Sequence, residues 1–190
     1  MLTMYIGPMF SNKTSVLNQE LEMMADLHRK VIGINHRSDQ RQTAGDSDNV
    51  LTTHGSRGIK SSGKVKWSSV VTLAEVDVTG YQLIGIDECQ FFPDLVVAVS
   101  GWLKAGKEVI CVGLDGSFSQ EPIGQTLQLI PWASKVVKLN AKCHRCVRSQ
   151  AIVDAPYTRK WAGATDCQVD VGGADKYEAV CLKHLLTPDS

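Results

Sequence analysis

The sequence predicts an α/β protein built on a mostly parallel sheet with helices on both faces. Three observations carry this. Short apolar runs of strand length recur over the first 140 residues. Segments with helical apolar spacing stand between them. A Gly-initiated turn ending in Lys13-Thr14 joins the first run to the first helix.

Leu2 to Ile6 is the first strand. Residues 14 to 28 form a helix with Leu17, Leu21, Met24 and His28 on one face, and Val31 to Ile34 is the second strand. Asn35 to Lys66 is polar and long for a compact domain, which points to a functional or mobile loop. Gln82 to Asp87 is the third strand. Asp94 to Ala105 is helical through Leu95, Val96, Val99 and Leu103, with Gly106 as its stop. Glu108 to Leu114 is the fourth strand and Ser134 to Leu139 the fifth. The composition changes near residue 141, beyond which four of the six cysteines lie. Residues 1–140 are therefore expected to form an α/β domain and residues 141–190 a small second domain.

Size and composition bound the function. The chain has 190 residues and a mass of 20.7 kDa, enough for one domain with a small appendage, and 43% of it is apolar. Twenty basic and twenty acidic residues balance to zero, so there is no global electrostatic footprint for nucleic acid. No apolar run approaches the ~20 residues that span a bilayer, so no membrane partner is expected. Met1 to Ile6 is too short for a signal peptide and lacks its basic flank. This predicts a reducing, cytoplasmic compartment, where cysteines serve as metal ligands or buried thiols.

Three motifs carry chemistry. Gly7-Pro8-Met9-Phe10-Ser11-Asn12-Lys13-Thr14 follows a strand and opens a helix, as a phosphate loop must. Backbone N–H groups and the helix start would bind phosphate oxygens, Lys13 would neutralise the outer phosphates, and the Thr14 hydroxyl would ligate Mg²⁺. Asn12 stands where the pattern has Gly, and Asn tolerates positive φ. Asp87-Glu88 ends an apolar strand at the edge where α/β sheets bind ligands. Asp87 would sit near Mg²⁺ as a Walker-B residue does, leaving Glu88 to accept a proton or orient a nucleophile. Cys143-x₂-Cys146 and Cys181-x₂-His184 are two knuckles about 35 residues apart. They match a closed, structural Cys₃His zinc site. Cys167 or His144 could replace one of these ligands, but neither completes a further knuckle. Cys89 and Cys111 read as buried thiols.

Together these residues resemble the type II thymidine kinase family, with a P-loop NTPase-type core and a small zinc-binding lasso domain. Gly7 to Thr14 is similar to that family's GPMFSGK[ST] loop. Asp87-Glu88-Cys89-Gln90-Phe91-Phe92 is similar to its DE-small-QFF motif, and Leu114 to Phe118 to LDG[TS]F. Tyr157-Thr158-Arg159 and Gly172 to Tyr177 resemble the two ends of a substrate-covering lasso loop. Asp39-Gln40-Arg41 resembles a DTR element.

The resemblance implies transfer of the ATP γ-phosphoryl group to the 5′-hydroxyl of thymidine, with deoxyuridine as a second substrate. It implies Glu88 as the base and Gly7, Met9, Phe10, Ser11, Asn12, Lys13, Thr14 and Arg41 around ATP. Thr14, Asp39 and Asp87 would serve Mg²⁺. Met9, Asp87, Glu88, Gln90, Phe91, Leu114, Phe118, Thr158 and Tyr177 would surround the nucleoside, with lasso residues Gln168, Asp170, Val171, Gly172 and Gly173. It also implies dTTP as feedback inhibitor and a homo-oligomer, tetrameric in the family. Because the chain begins almost on its first strand, one domain of a longer polypeptide is the other expectation. Asn12, Gln42, Gln168, Asp170 and His184 depart from the family pattern. A catalytically degenerate, regulatory domain is the alternative function, and a zinc-ribbon NTPase on nucleic acid a third.

Overall fold

The apolar runs of the first 140 residues become one six-stranded sheet in a computed structural model of the chain. The described residues are 1–27, 29–38, 50–52, 58–60, 63–161 and 175–187. In chain order the first elements are β1 (Leu2–Ile6), α1 (Lys13–Asp26) and β2 (Val31–His36). A short antiparallel hairpin follows, β3 (Val50–Thr52) with β4 (Gly58–Lys60). Then come β5 (Lys66–Val70), β6 (Leu83–Ile86), α2 (Leu95–Lys104), β7 (Glu108–Gly113) and β8 (Lys135–Lys138). The sheet order is β5-β2-β6-β7-β1-β8, and every neighbouring pair is parallel.

Burial explains which strands the sequence announces. Every residue of β2 and β6 is buried, as continuous apolar runs in a doubly covered sheet should be. β5 is an edge strand of sequence KWSSV with only Val70 buried, so it reads as part of the polar stretch before it. β2 also runs two residues beyond the expected end, to His36.

Alternation along the strands sends side chains to two cores. Leu2, Met4, Ile6, Ile84 and Ile86 face α2, whose Leu95 and Val99 are fully buried. Tyr5, Leu83, Ile110 and Val112 face α1, through Leu17 and Leu21. Helices therefore lie on both faces. Met24 packs partly against the α1 side, while His28 falls outside the described residues. The Gly106 N–H closes on the Leu103 carbonyl and ends α2. Among the described residues no helix is long and apolar enough to cross a membrane.

Beyond residue 140 the elements shorten. They are β9 (Ala141–Lys142), α3 (His144–Arg148), β10 (Asp154–Ala155), β11 (Tyr157–Lys160), β12 (Tyr177–Val180) and α4 (Leu182–Leu186). β9 pairs with β10, and β11 with β12, both antiparallel. Ala141, Cys143, Cys146, Ala155, Ala179, Val180 and Cys181 form a small separate core, against which Phe10 packs.

Candidate active site and metal centre

The first loop is shaped by two close constraints. A Cβ on Gly7 would lie 2.3 Å from the Leu139 carbonyl oxygen, so only Gly fits. Phe10 and Asn12 both take left-handed backbone, at φ 64° and 61°. Asn12 is exposed, sits at the N-cap of α1, and makes no side-chain cap bond. Lys13 turns back into the loop, donating to the Pro8 carbonyl at 2.6 Å and to Ser11 Oγ at 3.4 Å. Ser11 Oγ donates to the same carbonyl at 2.8 Å. Burial pushes the Lys13 ammonium down, while Glu88, Asp87 and Asp115 pull it back in part. A buried lysine at the start of a helix, with three carboxylates acting on it, is the charge arrangement an anion site uses.

The acid pair lies at the same strand edge. β6 delivers Asp87, whose N–H donates to the Ile34 carbonyl at 2.8 Å. Asp87 Oδ1 accepts from the Thr14 hydroxyl at 3.1 Å and from the Glu88 N–H at 3.0 Å. One hydroxyl and one carboxylate facing each other suit a Mg²⁺ ion that keeps most of its waters. Glu88 is buried and adopts left-handed backbone, φ 48° and ψ 46°. Gln90 fixes its carboxylate. The Gln90 Nε2 donates to Glu88 Oε2 at 2.6 Å, and Gln90 Oε1 accepts from the Leu114 N–H at 3.0 Å. Gly113 permits this, because a Cβ there would lie 2.7 Å from Gln90 Oε1. Cys89, fully buried, has its thiol pushed up to about 12 by burial, and burial also raises Cys111. Both are inert, as their apolar settings suggested.

The aromatic side groups gather nearby. Phe118 and Tyr177 lie 6.3 Å apart and tilted, and the Lys160 ammonium stands 4.9 Å over the Phe118 ring. Thr158 is buried and its hydroxyl accepts the Met9 N–H at 3.0 Å. That bond ties β11 to the first loop. Gln120 Nε2 donates to both the Phe118 and the Thr158 carbonyls, at 3.0 and 3.1 Å. Asp39, Arg41, Gln42, Gln168, Asp170, Val171, Gly172 and Gly173 fall outside the described residues.

The two knuckles converge. The ligand atoms of Cys143, Cys146, Cys181 and His184 all lie within 4.8 Å of one another. His184 Nδ1 is 3.3 Å from Cys143 Sγ and 3.4 Å from the other two sulfurs. Tetrahedral Zn²⁺ at its usual bond lengths separates sulfur from nitrogen by roughly 3.6 Å, so the donor set fits zinc. Burial raises the Cys143 thiol, but hydrogen bonds from the Cys181 and Cys146 backbone and from His184 win and bring it to about 6. Arg145 pairs with Glu178 at 2.7 Å, locking α3 onto β12. The Glu178 side chain is wholly buried.

Sequence reasoning did not identify the Thr158–Met9 bond, the Gln90 clamp or the Arg145–Glu178 pair. Gln90 had a signal, a polar residue set between Cys89 and Phe91. The other two join residues far apart in the chain and had none.

A parallel sheet, a lysine-bearing phosphate loop and an Asp-Glu edge define a P-loop type of nucleotide-binding protein. The profile of the thymidine kinase family matches residues 1–185, and the chain belongs to that family. It is 35% identical over 176 residues to the cytosolic thymidine kinase of Homo sapiens, covering 93% of this chain and 69% of the human protein. It is 32% identical over 182 residues to the thymidine kinase of vaccinia virus (strain Western Reserve), covering 96% and 94%. The thymidine kinase of variola virus matches over the same length at 32% identity.

Proposed function

We propose that this chain transfers the γ-phosphoryl group of ATP to the 5′-hydroxyl of thymidine, and of deoxyuridine, in nucleoside salvage for DNA synthesis. The observation that carries this is the buried Glu88 carboxylate, clamped by Gln90 on the strand edge it shares with Lys13 and Thr14. Membership of the thymidine kinase family supports the choice of substrate.

Glu88 takes the proton of the 5′-hydroxyl as that oxygen attacks the γ-phosphorus and ADP departs. Lys13 leaves the Pro8 carbonyl for the phosphate oxygens, where the anion offsets its burial. The N–H groups of Phe10, Ser11 and Asn12 and the start of α1 hold the phosphates, assisted by Arg41. Thr14, Asp87 and Asp39 would hold Mg²⁺, which spreads and neutralises phosphate charge. Met9, Gln90, Phe91, Leu114, Phe118, Thr158 and Tyr177 surround the nucleoside, because a flat base needs aromatic walls and few fixed polar contacts. The lasso main chain at Gln168, Asp170, Val171, Gly172 and Gly173 reads the base edge and excludes water. Cys143, Cys146, Cys181 and His184 would hold a structural Zn²⁺.

The same reading divides the chain at residue 140 into an ATP-binding and a zinc-binding lasso domain. It includes dTTP as feedback inhibitor and a homo-oligomer. It places the protein in the cytoplasm, supported by its similarity to the cytosolic thymidine kinase of Homo sapiens. The test is conversion of thymidine to dTMP by the purified protein with ATP and Mg²⁺, followed by chromatography. ATP hydrolysis stimulated by DNA, without dTMP, would replace this reading with a nucleic-acid NTPase. Nucleoside binding without turnover would replace it with the degenerate regulatory domain.

A further inference from the structure

β1 leaves the sheet between its two neighbours, β7 and β8, and the first loop starts where it leaves. Ile6, the last residue of β1, stands level with Gly113 of β7 and with Lys138 of β8. The Leu139 N–H donates to the Ile6 carbonyl at 2.8 Å. Asp115 follows the end of β7 by two residues, and its Oδ2 pairs with Lys138 Nζ at 2.7 Å. The pair therefore joins the two strands that flank β1, at the end of the sheet where the loop begins. The Asp115 side chain is 17% exposed and that of Lys138 48%. The Lys138 ammonium also stands 6.0 Å over the Tyr157 ring, so β11 meets the same clasp. Asp115 is one of the three carboxylates that act on Lys13. Asp87 and Glu88 have tasks in phosphoryl transfer. Asp115 has none, and adds a negative charge where ATP brings several more.

We propose that Lys138 is a positioning residue that acts through Asp115: it holds that carboxylate on the β8 side of the loop and cancels its charge, so that the loop admits the ATP phosphates. An exposed ion pair of this kind adds little to stability. Its charge balance matters here because like charges repel across a partly buried site more strongly than in water. The inference rests on the proposed binding of ATP phosphates at Lys13.

Double substitution separates a charge balance from a mechanical clasp. The readout is the Kd of ATP with Mg²⁺, by calorimetry without nucleoside, on variants whose melting temperatures show them folded. Lys138→Met leaves Asp115 charged and unpaired, and should weaken ATP about tenfold. Asp115→Asn removes the repelling charge, and should bind ATP within about threefold of the parent or more tightly. The double variant Lys138→Met with Asp115→Asn loses the clasp and the charge together, and should return to within about threefold of the parent. Lys138→Arg keeps the charge and should match the parent. A double variant as weak as Lys138→Met would make the pair a structural clasp and overturn the proposal. Weaker binding in Asp115→Asn would overturn it as well, because Asp115 would then assist ATP. A parent that binds ATP, with every variant alike, overturns this proposal alone. A parent that folds but binds no ATP overturns the functional reading, and the proposal with it.

Discussion

Glu88 is a buried carboxylate on left-handed backbone, a conformation that costs about 1–3 kcal/mol for a non-Gly residue. Gln90 fixes that carboxylate through its Nε2. Glu88→Gln keeps the size and loses the proton acceptor. Turnover should fall by about 10²–10⁴ with thymidine binding largely kept, read from kcat beside a binding titration. Near-normal turnover would place the base elsewhere. Asn12 is the other residue with a sharp expectation. Its backbone sits at φ 61°, where Gly is unstrained, and its exposed side chain caps nothing. Asn12→Gly should lower the ATP KM and raise turnover at saturating thymidine, leaving thymidine affinity alone. A higher ATP KM in the Gly form would mean that the Asn12 amide donates to phosphate.

At the scale of elements, the proposed metal centre would decide whether β11 and β12 keep their places. β12 ends at Val180, just before Cys181, α3 begins between Cys143 and Cys146, and Arg145 reaches Glu178 across them. The core there is small and mostly Ala and Cys, so metal ligation would supply folding free energy that packing alone would not. Purified protein should hold about one zinc per chain. Cys143→Ser should lower the melting temperature and speed amide exchange in β11 and β12. A metal-free preparation of equal stability would refute the centre. The elements also show what a sequence discloses. The phosphate loop, the acid pair and the knuckles are legible because each works through neighbouring residues. β6 and β7 are legible because both faces are covered. β5 is not, since an edge strand of Trp and Ser lacks that apolar signature. Thr158 reads as a nucleoside contact, and its bond to Met9 depends on a fold that joins residues 149 apart.

At the scale of the molecule, one ion pair joins the start of β7 to the chain entering β2, two interior strands of the sheet. Arg29, just after α1, donates two hydrogen bonds to Glu108 at the start of β7, at 2.9 and 3.0 Å. Hydrogen bonding to Arg29 holds the Glu108 carboxyl below its usual value, against a smaller opposing effect of burial. A depressed folded pKa gives stability that is present above the unfolded carboxyl pKa, about 4.3, and lost as pH falls through the folded value. Both side chains are partly exposed, at 26% and 35%, so solvent screening limits the pair to about 0.5 kcal/mol. Glu108→Gln should therefore be slightly less stable than the parent at pH 7 and equal to it at pH 3, in urea midpoints. A constant gap across that range would assign the difference to packing.

The Thr158 hydroxyl on the Met9 N–H, with Gln120 bracing the Thr158 and Phe118 carbonyls, joins the elements proposed to hold the two substrates. On the proposed roles, a nucleoside that drew β11 inward would also draw on the loop proposed to receive ATP. Linkage is reciprocal, so whatever factor thymidine applies to ATP affinity, ATP applies to thymidine affinity. Calorimetry of each ligand with and without the other reads that factor, and a value of one would make the bond an idle strut. With a factor above one, thymidine acts as an effector as well as a substrate, and the enzyme is least inclined to hold ATP when it has nothing to phosphorylate.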